Sequence, residues 1–176
     1  MVSLEVVAIL LSGLSISASL IYYTNVLQSQ NKTRQTQIFM ELHNKFRSKE
    51  FMRETYELYQ MEWNDINDFF QRYDSSVDID NFEKRYHYWF YFDGVGMLLK
   101  RGLIDLEMLH YLMGGYGALW MWEKFGEIIK ESRIRLNAPD HLVMFEYLVE
   151  EMKKMRTKRN HSLEVPEHWG DFTAKL

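Results

Sequence analysis

The residues Trp89 to Gly96 read WFYFDGVG, and the carboxylate of Asp93 stands in the middle of them. A carboxylate in so apolar a run must be hydrogen-bonded, paired or protonated. Tyrosine hydroxyls, His110 or an arginine are suitable partners. Gly94 and Gly96 follow it, and each is about 1 kcal/mol less favourable than alanine inside a helix. They call for close helix packing, a kink or a ligand. Asp93 has two possible chemistries: a buried polar link between helices, or the centre of a binding or catalytic site.

The other candidates are weaker. Glu107-x-x-His110 has the spacing of carboxylate-bridged di-iron bundles, but those need a second such pair and two further glutamates. No second pair occurs on the other long helices. Glu83 and His87 lie four apart, as many surface pairs do. No metal and no cofactor is expected. With no cysteine in the chain, disulfides, thiolate metal sites and a thiol nucleophile are excluded. There is no nucleophile elbow, phosphate loop or dinucleotide fingerprint. Gly114-Gly115-Tyr116-Gly117 lacks the Lys-Ser/Thr of a phosphate loop and reads as a turn between helices. No catalytic residues are assigned, and an enzyme is not the leading expectation.

Lys153, Lys154, Arg156, Lys158 and Arg159 form a basic cluster at a helix C-terminus, where positive charge is favoured in any case. With Lys32 and Arg34 they are candidates for contact with anionic lipid headgroups. The formal net charge of −4 and the lack of interleaved aromatics leave no expectation of nucleic acid as a partner.

The elements that position these residues are helical. Charge disappears after Glu5 and returns at Lys32, and Val6 to Tyr23 reads VVAILLSGLSISASLIYY. About 20 apolar residues make about 30 Å of helix, enough for one membrane crossing. A cleaved signal peptide would carry Lys or Arg before its apolar run, where this chain has Glu5. Lys32 and Arg34 come after the span, so the positive-inside rule predicts a cell-membrane protein with its N-terminus outside and its C-terminal domain cytoplasmic. Ala8, Ser12, Ser15 and Ser19 share one face and predict helix association within the membrane.

The expected class is all-α: one transmembrane helix continuing into a compact bundle of about five further helices. The expected divisions are an anchor over 1–27, a polar helical neck over 28–37, a cytosolic helical domain over 38–159 and a tail over 160–176. Ser48, Asp80 with Glu83, Asp105 and Asp140 are the expected N-caps. Asn64 to Asp68 reads as an acidic turn. Gly102 and Asn137 close helices, with Pro139 beyond the second. Met52, Tyr56, Tyr59 and Trp63 form the expected apolar stripe of the second helix. Tyr86 to Leu99 is apolar nearly all round and predicts a central buried helix.

The runs TRQTQIFMELHNKFRSKEF, EWNDINDFFQRY, YFDGVGMLLKRGLIDLEML, WEKFGEIIKESR and FEYLVEEM resemble an uncharacterised family of small bacterial and archaeal membrane-anchored helical proteins. The resemblance covers Thr33 to Met152, and its most specific element is FDGVGMLLKRGLID. It implies one anchor and a cytosolic helical domain, and it transfers no catalytic residues. The leading expectation is a membrane-tethered interaction module, acting as a homo-oligomer or as an accessory subunit bound to a membrane-protein partner. The alternatives are a small-molecule-binding or enzymatic domain organised around Asp93, and a pore or transport component.

Overall fold

In the computed structural model, residues 3–113 and 116–163 are described. They form seven helices and, among the described residues, no strand: α1 (Leu4–Phe46), α2 (Lys49–Tyr59), α3 (Ile66–Tyr73), α4 (Ile79–Lys100), α5 (Leu106–Leu112), α6 (Gly117–Arg135) and α7 (Val143–Lys158). Six helices follow the first among the described residues, in keeping with the expected all-α bundle. The chain divides into two compact units, Met1–Met40 and Glu41–Leu176.

The first unit is the greater part of α1. This helix is long and apolar enough to cross a membrane, and none of its apolar window is buried. The hydroxyls of Ser17 and Ser19 donate back to the carbonyls of Gly13 and Ser15 at 2.9 and 2.8 Å. Such i−4 bonds satisfy a serine within its own helix.

In the second unit, the starts of α2, α3, α4 and α5 obey local chemistry. Ser48 accepts from Phe51 N at 3.2 Å, and Asp105 from Met108 N at 2.7 Å. Asp65 accepts from Asn67 N and Asp68 N at 2.8 and 2.9 Å. Those bonds start α3 inside the stretch expected to be a turn. Asp78, not Asp80, caps α4, accepting from Asn81 N at 3.0 Å. Gly102, Asn137 and Asn160 take positive φ at three helix ends. Each is accompanied by the reversed backbone bonds of a Schellman turn, such as Ala138 N to Arg133 O at 2.9 Å.

The most extensive packing is of α4 against α7, then of α6 against α7. Aromatic rings fill the interior. Phe92 of α4 stacks on Phe145 of α7 at 5.0 Å, and Trp122 of α6 meets Phe145 edge-on at 5.1 Å. Trp89 meets Phe125 at 5.7 Å. On the other side of α4, Tyr88 lies 4.3 Å from Phe51 of α2 and donates its hydroxyl to the Phe51 carbonyl.

Two expected faces differ. Helix α2 buries Phe51 and Leu58, while Met52 and Tyr56 are half exposed. The inward face is rotated by one residue, because Phe51 meets Tyr88 and the helix ends before Trp63. Helix α4 is not buried all round. It buries Tyr88, Trp89, Phe92 and Val95, whereas Phe90 is 54 % and Met97 39 % exposed. Its partners cover one side only.

Arg85 is a buried cation that the sequence did not single out. It donates to Asn81 Oδ1 at 2.7 Å and to the Tyr73 carbonyl, and its guanidinium lies 4.6 Å from the Phe69 ring centre. Burial pushes it down to about 10, still charged at neutral pH. It ties the end of α3 to α4 by hydrogen bonds and a cation–π contact.

Phe145 is the ring shared by α4, α6 and α7. Phe145→Ala is expected to lower stability by about 3–5 kcal/mol. Ile134→Ala, at a 74 % exposed position, should stay within about 0.5 kcal/mol. Thermal melts monitored by circular dichroism measure both.

Candidate functional site

Helix α7 begins without a cap of its own. Its N-cap position is Leu142, which has no side-chain acceptor and sits at φ 56°, ψ 31°. The first N–H groups of any helix need acceptors from outside it. Asp93 supplies one from α4: Oδ1 accepts from Met144 N at 2.9 Å and Phe145 N at 3.0 Å. These are the second and third residues of α7, the positions a local capping oxygen would serve. A negative charge there also complements the positive end of the helix dipole.

Three further features hold that junction. Gly96 lies on the same side of α4, and a Cβ on it would stand 1.9 Å from the Met144 carbonyl oxygen. Only glycine permits so close an approach to backbone. From α6, Arg133 donates to the carbonyls of His141 and Leu142 at 2.7 and 3.2 Å and to Glu146 Oε2 at 2.6 Å. Leu142 itself is buried, its side chain filling the interior from a left-handed backbone that a leucine rarely adopts. Asp140, expected to cap this helix, is exposed in the preceding turn. That turn directs Leu142 inward and leaves the capping to Asp93. Nothing in the structure explains Gly94, where a Cβ would meet no atom within 4 Å.

Asp93 is therefore half-buried and hydrogen-bonded, with a carboxylate oxygen committed to backbone. His110 is buried on α5, and Glu107 pairs with Arg159 at 2.9 Å. Glu83 and His87 both face solvent. Among the described residues, no three His, Asp or Glu side chains are placed to hold a metal ion. Within the basic cluster, Lys153 and Lys154 pair with Glu150 and Glu151 at 3.2 and 2.7 Å. Arg156 is only 3 % exposed; its guanidinium lies 3.7 Å from the Tyr116 ring centre, and Nε donates to the Ser162 carbonyl at 2.8 Å. Lys158 is exposed. Lys32, Arg34, Ala8, Ser12, Ser15 and Ser19 lie exposed along α1. The tail residues Pro166, Trp169 and Phe172, and Gly114 with Gly115, lie outside the described residues.

An apolar concavity lies elsewhere in the helical domain. A pocket of about 440 Å³ opens between α2, the last turn of α1, and α5 with the start of α6. Phe46, Phe51 and Met52 line one side, Met113, Tyr116 and Trp120 the other. Gly117 permits this arrangement, since a Cβ on it would meet the Phe46 ring at 2.9 Å. The polar groups at the pocket are few: exposed Arg47, Thr55 and half-buried Tyr59. Burial pushes the Tyr59 phenol well above its usual range, so it stays neutral. The volume and apolar lining suit an apolar or aromatic group rather than an ion. Sequence reasoning missed this pocket because its walls have the same residue types as the core, and only their separation makes a cavity.

A family model described as a domain of unknown function, DUF4760, matches residues 4–152. No curated protein and no solved structure matches the chain.

Substitutions at the junction differ in expected cost. Asp93→Asn keeps an acceptor and should lose little stability, under about 1 kcal/mol for the missing charge at the helix end. Asp93→Leu leaves two N–H groups unserved and should lose about 1–3 kcal/mol, and Gly96→Ala a similar amount through overpacking. Melting curves of the three variants check this order.

Stability should also depend on pH. Burial holds the His110 imidazole below its ordinary 6.5, helped by Arg159, Arg156 and His161 and opposed by Glu107. Burial also lowers His141, helped by Arg133 and opposed by Asp93. The unfolded chain then binds more protons in mild acid than the folded one. The histidine contribution is complete above pH 6.5 and is lost as the pH falls through the depressed folded values. Melting temperature should drop between about pH 7 and pH 5, and the His110→Gln, His141→Gln double variant should flatten that drop.

Proposed function

The chain belongs to the DUF4760 family, a domain of unknown function, and from that premise we propose that it is a membrane-tethered helical interaction module. Helix α1 crosses the cell membrane once, with the N-terminus outside and the helical domain in the cytoplasm. The module acts as a homo-oligomer or as the accessory subunit of a larger membrane complex. This is the single-pass organisation implied by the resemblance to small bacterial and archaeal anchored proteins.

The observation that carries the reading is the apolar part of α1, none of which is buried. So much apolar surface on one helix needs a non-aqueous environment. The orientation rests on Lys32 and Arg34 after the span and only Glu5 before it. Back-bonded Ser17 and Ser19 fit a lipid setting, since every polar group there needs an internal partner. The small face of Ala8, Ser12, Ser15 and Ser19 supports association, because small residues let helices approach closely in lipid.

A second reading, a small-molecule-binding domain, is favoured by the apolar pocket. Its centre would be that pocket rather than Asp93, whose Oδ1 serves the start of α7.

Fusions and variants of the full chain test the leading reading. A reporter fused after Leu176 is expected to report the cytoplasm; activity outside the cell would overturn the topology. The Ser12→Leu, Ser15→Leu double variant should recover less crosslinked oligomer or partner than Leu10→Val. A partial loss is expected, since single polar contacts between membrane helices contribute about 0.6–2 kcal/mol. Equal recovery would assign this face to lipid contact alone.

A further inference from the structure

We propose that the apolar pocket binds a small monoanion with an apolar body, an acyl-chain or aryl carboxylate, whose carboxylate pairs with Arg47 at the mouth. This rests on the second reading above, the small-molecule-binding domain, and names its ligand class. The pocket has a buried floor and an open mouth. Phe51, Phe92 and Met121 are buried among its lining residues, whereas Arg47 and Met52 are exposed. The walls are fixed by one another. Phe46 lies 5.2 Å from Phe51, and on the other side Trp120 stacks on Tyr116 and meets Tyr59 edge-on, both at 5.8 Å. Rings already held in place lose little freedom when a ligand enters, which favours affinity. Met52, Met113 and Met121 add thioethers, which adapt to the shape of an apolar body and make favourable contacts with rings.

Charge selects the headgroup. Among the described residues, Arg47 is the one charged side chain that lines the pocket, and no carboxylate lines it. Glu57 of α2 is engaged elsewhere, with Arg53 and Lys84. The Tyr59 phenol stays neutral and brings no negative charge to the interior. A guanidinium offers parallel N–H donors that match the two oxygens of a carboxylate, whereas an ammonium would meet a like charge. A charge carried into so apolar an interior would be costly. The carboxylate therefore stays at the mouth with Arg47, and only the apolar body enters. The volume of about 440 Å³ is toward the lower end of the range of about 300–1,000 Å³ for small-molecule sites. It is sized for one short chain or ring system.

The test uses the full chain in nanodiscs of a zwitterionic lipid, with empty nanodiscs as the blank for partitioning. The probe is 10-bromodecanoate, whose bromine quenches the fluorescence of a tryptophan it touches. Trp120 is a wall of the pocket, so the readout is the quenching that Trp120→Phe removes. Phenylalanine keeps an apolar ring at that position, and Trp63, Trp89 and Trp122 remain as internal references. Saturable quenching of Trp120 is expected, with the acid bound about fivefold more tightly than 10-bromodecanol, the size of an ion pair at an exposed mouth. Arg47→Gln should remove that preference, Arg47→Lys should keep part of it, and Arg47→Glu should turn it toward 10-bromodecylamine. Displacement of the probe by naphthalene-2-acetate, more or less strongly than by decanoate, assigns the body to a ring system or a chain. Equal affinity for acid and alcohol, or a preference that survives Arg47→Gln, would overturn the anionic class and leave the small-molecule reading standing. No quenching of Trp120 by any of the probes would overturn both.

Discussion

Helix α7 starts with N–H groups that its own sequence cannot satisfy, and the helical domain is organised around how they are satisfied. The acceptor comes from Asp93, on a helix about 50 residues earlier in the chain. For that oxygen to reach Met144 and Phe145, the backbones of α4 and α7 must come close, and Gly96 is where they do. The same contact sets Phe92 on Phe145 and so fixes the stacking of the core rings. Arg133 completes the junction from α6 by holding the carbonyls of the incoming turn. A carboxylate, a glycine and a guanidinium on two helices thereby define the position of a third.

The pocket lies away from this junction and obeys a different constraint. At the α4–α7 side, rings meet at stacking distance and little space remains. At the α2–α6 side, Gly117 lets the Phe46 ring lie against the start of α6, while Tyr116 and Trp120 stand across from Met52 and Phe51. The cavity is apolar because most of the side chains that line it are aromatic or aliphatic. Arg156 links this region to the turn after α7, at Ser162. It lies at the C-terminal end of α7, where positive charge is favoured, yet it is buried over Tyr116 instead of joining the solvated basic face.

The two units answer to different solvents in the proposed reading. In the apolar part of α1 the side chains are exposed and the hydroxyls of Ser17 and Ser19 turn back to their own helix. In the domain the apolar residues point inward, and charged pairs such as Lys153–Glu150 and Lys154–Glu151 decorate the surface at little net gain in stability.

By itself the sequence determined what local chemistry controls. That includes the all-helical class, the long apolar first helix, the caps at Ser48 and Asp105, and the helix ends at Gly102 and Asn137. Each depends on residues within a few positions of one another, so spacing alone reveals it. The sequence also marked Asp93 and its glycines as needing a partner, since a charge and two glycines in an apolar run are locally unfavourable. It could not name that partner. Asp140 was the locally plausible cap for α7, and only the left-handed backbone at Leu142 and the approach of α4 gave the role to Asp93. The inward face of α2, the solvent-facing side of α4, the burial of Arg85 and Arg156, and the pocket were likewise decided by tertiary structure. They depend on which helices lie beside one another, and residues distant along the chain carry no local signature of having met.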